Sequence, residues 1–178
     1  CGTILLVAVV SAILSTVWGG QVETAPLTEG VGGVASVEVR ASAAEVEVTF
    51  GDVAEAELTV TGARGVDDWS VSRRGDRLVI EARDDWWGQW RWANGTTQAT
   101  LVLPERLEGL DATLDLDAGS LRAEGAFGDL ALALGAGSLN VSGSAETLEL
   151  GVDAGSAHVE LADVDSATIN LSAGRITG

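Results

Sequence analysis

Apolar and polar residues alternate strictly through the C-terminal half of the chain, and this alternation repeats. Four units align on an Ala-Gly pair, and their glycines are separated by 18, 18 and 19 residues. The glycines of the four units are Gly119, Gly137, Gly155 and Gly174. Apolar residues at every second position predict β-strand rather than helix. Each unit is therefore predicted to form two short strands joined by a bend at its glycine, where the missing Cβ lets the backbone turn.

A unit of two short strands cannot bury its own apolar face, so the repeat predicts stacking of the units. At a strand spacing of about 4.8 Å, stacking would form an inward ladder of Leu121, Leu139, Ala157 and Ile176. The period is shorter than the roughly 20–29 residues of leucine-rich repeats. An up-and-down barrel would not require glycine at one fixed phase. The predicted fold class is all-β: a single-stranded right-handed β-solenoid, similar to a β-helix, with an N-terminal transmembrane helix.

The preceding part of the chain has the same alternation in a less regular form. Val37 to Val48 and Ala56 to Val60 predict strands of a first, irregular coil. Arg74-Gly75-Asp76 lies between two strand-like runs, which predicts a hairpin. Thr100 to Leu103 predicts a further strand, which Pro104 ends. This part is therefore predicted to cap one end of the stacked units.

The N-terminal segment carries a different pattern, because residues 3–18 are uncharged and almost entirely apolar. A helix over residues 1–18 would rise about 27 Å, close to the thickness of the hydrocarbon core of a membrane. A cleavable signal peptide is the alternative, but residues 16–25 contain no clean small-x-small cleavage site. The predicted organisation is a transmembrane helix at 1–18 (truncated at its start), a linker at 19–33, and a β-solenoid domain at 34–178 with a Trp-rich insertion at 66–98.

Composition narrows the classes of partner. The formal net charge of −17 argues against a nucleic-acid partner, since binding to phosphate backbones needs a basic surface. The single cysteine cannot form an internal disulfide, so it gives no information about the redox compartment.

These features together resemble a known family. The apolar span, the TLVLP sequence at 100–104 and the turns at Ala118, Ala136, Ala154 and Ala173 are similar to those of the bacterial β-strand-repeat family of unknown function described as putative adhesins. The resemblance covers roughly residues 34–178. It implies a membrane-tethered repeat protein of the cell envelope, and it supplies no catalytic residues.

The most unusual local feature is the sequence DDWWGQWRW at 84–92. Its candidate binding residues are Trp86, Trp87, Trp90, Trp92 and Arg91. As a binding loop, its aromatic faces would stack on sugar rings; alternatively it would insert into a membrane interface. The structural alternative is that the tryptophans, with Trp69, seal the open end of the stacked strands.

The remaining polar residues do not form a recognisable catalytic or metal site. Asp117 and Asp153 share a phase, but the column is interrupted at Gly135, which disfavours a calcium site and a facing carboxylate pair. His158 is predicted to point outward, and no nucleophile-elbow motif accompanies it. No catalytic residue, metal ligand or cofactor is predicted, and the chain is not expected to be an enzyme.

The sequence therefore predicts a membrane-anchored, non-enzymatic envelope protein of the adhesin type. The expected location is the cell membrane, with a single span and the β domain on the extracytoplasmic side. The expected partners are the membrane, through the helix, and an envelope protein or glycan. The alternative function is a carbohydrate- or membrane-interface-binding module that uses the Trp-rich loop 84–92.

Overall fold

The computed structural model describes residues 23–62, 68–82 and 97–178. These residues form β-strands and one short 3-10 turn at Glu105–Leu107. The strands are β1 (Glu23–Glu29), β2 (Ser36–Gly51), β3 (Ala56–Gly62), β4 (Trp69–Arg74), β5 (Arg77–Ala82), β6 (Gln98–Pro104), β7 (Asp111–Ala162) and β8 (Ser166–Thr177). The prediction of an all-β protein is therefore confirmed for the described part of the chain.

The alternation of apolar and polar side chains explains why these segments form strands. In β3, Ala56, Leu58 and Val60 are buried, whereas Glu57 and Thr59 are exposed. The same in-and-out pattern runs along most of β7, where a long strand bends at successive glycines. Burial of every second side chain on one face of a sheet is the expected consequence of the strand period of two.

All eight strands belong to one mixed sheet. The long strand β2 organises it: its first half pairs in parallel with β5, its second half with β6, and most of its length with β7 on the other side. Strand β8 pairs in parallel with the last part of β7. The pairs β1–β3, β3–β6 and β4–β5 are antiparallel. The sheet curves around one apolar interior into a nearly closed, barrel-like arrangement.

The predicted single-stranded right-handed β-solenoid is therefore wrong. That class requires each strand to stack in parallel on the preceding unit, whereas this sheet mixes parallel pairs with three antiparallel ones. The physical reason is that alternation reports which face of a strand is buried. It does not report which strand lies beside it, or in which direction that strand runs.

The Ala-Gly units lie beside one another as the repeat predicts. Ala154 pairs with Ala173 and Gly155 with Gly174 in the parallel register of β7 and β8. All four unit glycines have positive φ, between 126° and 147°, which confirms the predicted bends. Leu121, Leu139 and Ala157 are buried, and Ile176 is partly buried.

Two predictions about the upstream region are confirmed, and one segment differs. The turn at Arg74-Gly75-Asp76 joins β4 to β5 as an antiparallel hairpin, with Gly75 at φ 72°. Pro104 ends β6. Residues 23–29, which were predicted to lie in a linker, form β1 and pair antiparallel with β3. The free edge of β3 explains this difference, because its unpaired backbone groups can hydrogen-bond a further strand.

The predicted single-pass localisation at the cell membrane is corrected. In residues 23–62, 68–82 and 97–178, no helix has the length and apolar character needed to cross a membrane. The segment 1–18, where the transmembrane helix was predicted, lies outside the described residues. The membrane span and the localisation derived from it are therefore not retained.

A buried carboxylate joins β2 to the β4–β5 hairpin. The side chain of Glu38 is only 9% exposed, and it forms ion pairs with Arg40 and with Arg77, the latter at 3.1 Å. Both arginine side chains are more than half exposed, so water screens these pairs.

Replacing Glu38 with glutamine is expected to lower the free energy of unfolding by about 1 kcal/mol, because it removes the charge from both pairs and keeps the shape. Urea denaturation at low and high salt measures this loss, which should shrink as salt rises. Glu149→Gln, at an exposed position of β7, is the matched control and should be neutral. A salt-independent loss of the same size would contradict the electrostatic explanation.

Candidate functional site

A concave groove lies on the outer surface of the repeat, just after the glycine bends. Its cavity volume is about 310 Å³. Its rim consists of two columns of outward side chains that cross β7 and β8: Ser120, Ser138, Ser156 and Arg175 in one, and Arg122, Asn140, His158 and Thr177 in the other. Leu121, Leu139 and Ala157 lie between the columns at the floor.

Two simple rules place these side chains together. Residues two apart in a strand point to the same face, so the position after each bend glycine and the position two further along both point outward. Parallel stacking then sets equivalent positions beside one another, as Ser156 beside Arg175 and His158 beside Thr177 show directly. The groove is therefore a product of the repeat itself.

His158 lines the groove and has two hydrogen-bonding partners. Its Nδ1 lies 3.1 Å from the hydroxyl of Thr177, and its Nε2 lies 3.1 Å from a carboxylate oxygen of Glu160. These distances fit the tautomer in which Nε2–H donates to Glu160 and the Thr177 hydroxyl donates to Nδ1. The contacts fix the ring as part of the wall.

Hydrolases also place a hydroxyl, an imidazole and a carboxylate in a row. Here the carboxylate and the hydroxyl are exposed to solvent, unlike those of a catalytic triad. The side chain of Glu160 is 67% exposed, and Thr177 is exposed as well. Catalytic triads depend on a buried acid and on preorganised donors for the oxyanion in a site that excludes water. The acid of this arrangement is therefore exposed, unlike the buried acid of a catalytic triad.

Most other polar groups of the groove have no partner within the described residues. The side chains of Ser120, Ser138, Ser156 and Asn140 make no hydrogen bond to another described side chain or backbone group. Hydroxyl and amide groups both donate and accept, so the middle of the groove offers matched sites for a polar ligand.

Arg122 and Arg175 occupy opposite ends of the groove, and neither has a carboxylate within 4.0 Å in the part of the chain that the structure describes. The other described arginines form ion pairs or hydrogen bonds. Arg40, Arg74 and Arg77 pair with Glu38 or Glu81, and Arg73 and Arg106 donate to backbone carbonyls. The two groove arginines are thus the described guanidinium groups with the most free donor capacity.

An acidic row marks one end of the groove. In the register of β2 and β7, Glu45 lies beside Ser120 and Glu47 beside Arg122. Neither carboxylate lines the groove, and Glu47 forms no ion pair shorter than 4.0 Å with Arg122. The row therefore limits how far an anionic ligand can extend towards β2.

The structure does not test the candidate site predicted from the sequence. Trp86, Trp87, Trp90, Trp92 and Arg91 all lie outside the described residues. Trp69, which was predicted to join them, is buried in the core. Asp117 and Asp153 are exposed, and Asp153 accepts a long 3.5 Å hydrogen bond from Ser172. The described residues contain no cluster of His, Cys, Asp and Glu suited to a metal ion.

Sequence analysis missed the groove, although a signal for it was present. A serine follows the bend glycine in three of the four units, at positions 120, 138 and 156, and the fourth unit has an arginine there. His158 was predicted to point outward, and this is confirmed. The groove is identified by the concave shape that the glycine bends give to this surface, which the sequence does not show.

Comparison with known proteins shows similarity at the level of the fold. The chain matches no protein family profile and no curated protein. A crystal structure from Clostridium sporogenes, described as "a putative cell adhesion protein", is 9% identical, covers 88% of this chain and 98% of its own, and has a TM-score of 0.54. It therefore shares the fold of this chain.

Two further solved structures overlap the chain less closely. A "putative adhesin" from Bacteroides fragilis is 10% identical, with a TM-score of 0.35 over 89% of this chain and 97% of its own. A "putative lipid binding protein" from Parabacteroides distasonis is 12% identical, with a TM-score of 0.35 over 90% of this chain and 98% of its own.

Proposed function

We propose that this chain is a non-enzymatic binding protein of the adhesin type, and that it holds an extended polar ligand in the groove across β7 and β8. The observation that carries the proposal is the pair of outward polar columns, in which the serine hydroxyls, the Asn140 amide and the two guanidinium groups lack partners among the described residues. Such groups converging on one concave surface are typical of a binding site.

The chemistry of the lining supports binding over catalysis. Most glycosidases use two facing carboxylic acids, and the described lining residues include none. The fold shared with the Clostridium sporogenes protein agrees with this function, since that protein is described as "a putative cell adhesion protein".

A tryptophan in place of Asn140 tests the groove as the binding site. Asn140 lies in the second column, between Arg122 and His158, so an indole ring there would fill the groove. Binding to a glycan array is expected for the wild-type chain, and Asn140→Trp should weaken it by at least ~10-fold, as blocking the centre of an interface does.

Thr59→Trp is the control for this experiment, because Thr59 is an exposed strand position in β3 away from the groove. It should bind as the wild type does. Equal binding by Asn140→Trp and the wild type would show that the groove is not the site. Cleavage of the bound glycan during incubation would contradict the non-enzymatic proposal.

A further inference from the structure

We propose that the ligand of the groove is a linear acidic glycan, an extended hydroxyl-rich chain bearing carboxylate or sulfate groups. This inference rests on the proposed function and specifies the chemistry of its ligand. It is drawn from the charges at the two ends of the groove and from the neutral polar groups between them.

An arginine lies at each end of the groove. Arg122 and Arg175 are exposed, line the same groove and have no carboxylate within 4.0 Å among the described residues. In a chain with a net charge of −17, acidic partners for an arginine are abundant, and Arg40, Arg74 and Arg77 have each found one. Guanidinium groups bind carboxylate and sulfate oxygens through charge-assisted hydrogen bonds.

The spacing of the two arginines favours an extended ligand. Arg122 belongs to the first unit of the repeat and Arg175 to the fourth, so three strand spacings of about 4.8 Å, or ~14 Å across the strands, separate their backbones. A linear chain with anionic groups along its length can contact both arginines if it runs across the strands.

The middle of the groove suits the neutral part of such a chain. Ser138, Ser156 and Asn140 present hydroxyl and amide groups that can exchange hydrogen bonds with sugar hydroxyls. The ring of His158 provides a flat wall beside them, held by Thr177 and Glu160.

The acidic residues of β2 limit how far the chain can extend. Glu45 and Glu47 lie beside Ser120 and Arg122 in the register of β2 and β7, so an anionic chain is repelled beyond Arg122. Acidic groups farther than about 8 Å from the groove are screened at physiological ionic strength and have little effect on binding there.

Matched ligands test the inference. Binding of an oligogalacturonate is compared with binding of the same oligomer after methyl esterification, which removes its charge and keeps its hydroxyl-rich chain. The acidic form is expected to bind at least ~10-fold more tightly, which corresponds to one lost charge-assisted contact. A sulfated oligosaccharide and its desulfated form, measured in parallel, show which anion is preferred.

Variants assign the effect to the groove. The double variant Arg122→Gln, Arg175→Gln should lose at least ~10-fold in affinity for the acidic oligomer. Arg74→Gln, which removes an exposed arginine that pairs with Glu81, should bind unchanged. Glu47→Gln should bind roughly 2-fold more tightly, because it removes a repulsive charge beside Arg122.

The outcomes separate the two proposals. If the esterified or desulfated chains bind as tightly as the acidic ones and Asn140→Trp abolishes that binding, the groove is a binding site and the acidic ligand is wrong. If the double variant retains full affinity for the acidic oligomer, the inference is overturned. If neither form of either ligand binds, the acidic-glycan inference is also overturned, and the array experiment alone decides the proposed function.

Discussion

Replacing Gly137 with alanine is expected to lower the free energy of unfolding by about 4 kcal/mol or more, a large part of the 5–15 kcal/mol that stabilises a typical domain. Gly137 has φ 133°, and an added Cβ would lie 1.9 Å from the carbonyl oxygen of Gly119. Because that atom belongs to the backbone of the neighbouring unit, relief would require the strands to separate. Urea denaturation followed by circular dichroism measures the loss.

Gly75→Ala separates the two causes that act at Gly137. Gly75 also has positive φ, 72°, but nothing lies within 4 Å of the position of an added Cβ. Its substitution should cost only about 1 kcal/mol, the usual penalty for a side chain in the left-handed region. Similar costs at the two positions would show that contact between adjacent units does not limit the strand spacing at the bend.

The second large effect is expected from Leu150→Ala. Leu150 is completely buried in the core, in the part of β7 that lies against β8. Removing its side chain beyond Cβ leaves a cavity in a close-packed interior, which typically costs about 2–5 kcal/mol. Chemical denaturation of the wild type and the variant measures the difference.

Leu171→Ala is the matched control, because it is the same substitution in the neighbouring strand β8. Leu171 is 39% exposed, so its truncation should cost less than about 1 kcal/mol. Equal losses for the two variants would mean that the apolar face of β8 is as well covered in solution as that of β7.

The contrast between Leu150 and Ile169 shows how far alternation alone can predict burial. The two residues have the same phase in the repeat and pair directly in the register of β7 and β8. Leu150 is fully buried, whereas Ile169 is 47% exposed. The position of a residue in the repeat determines which face of the sheet its side chain occupies. The burial of that side chain depends on what packs against the face.

The groove could be predicted only in part. The recurrence of serine at positions 120, 138 and 156, each after a bend glycine, indicates a column of hydroxyl groups. The sequence does not show that this column is concave, or that Arg122 and Arg175 lack carboxylate partners nearby. Those properties depend on the curvature of the sheet and on the positions of acidic side chains from β2.

The sequence by itself determined that residues 34–62, 68–82 and 97–178 form β-strands and turns, that the repeat bends at Gly119, Gly137, Gly155 and Gly174, and that one hairpin turns at Gly75. These features follow from local causes: the period of two in a strand and the freedom of glycine at positive φ. Only the tertiary structure decided that β1, β3 and β6 pair antiparallel, and that β2 joins them to the repeat in one mixed sheet. The physical reason is that strand pairing is a contact between segments that are distant in the sequence. Which strands pair depends on all the strand edges present in the folded chain, and the local pattern of residues does not specify it.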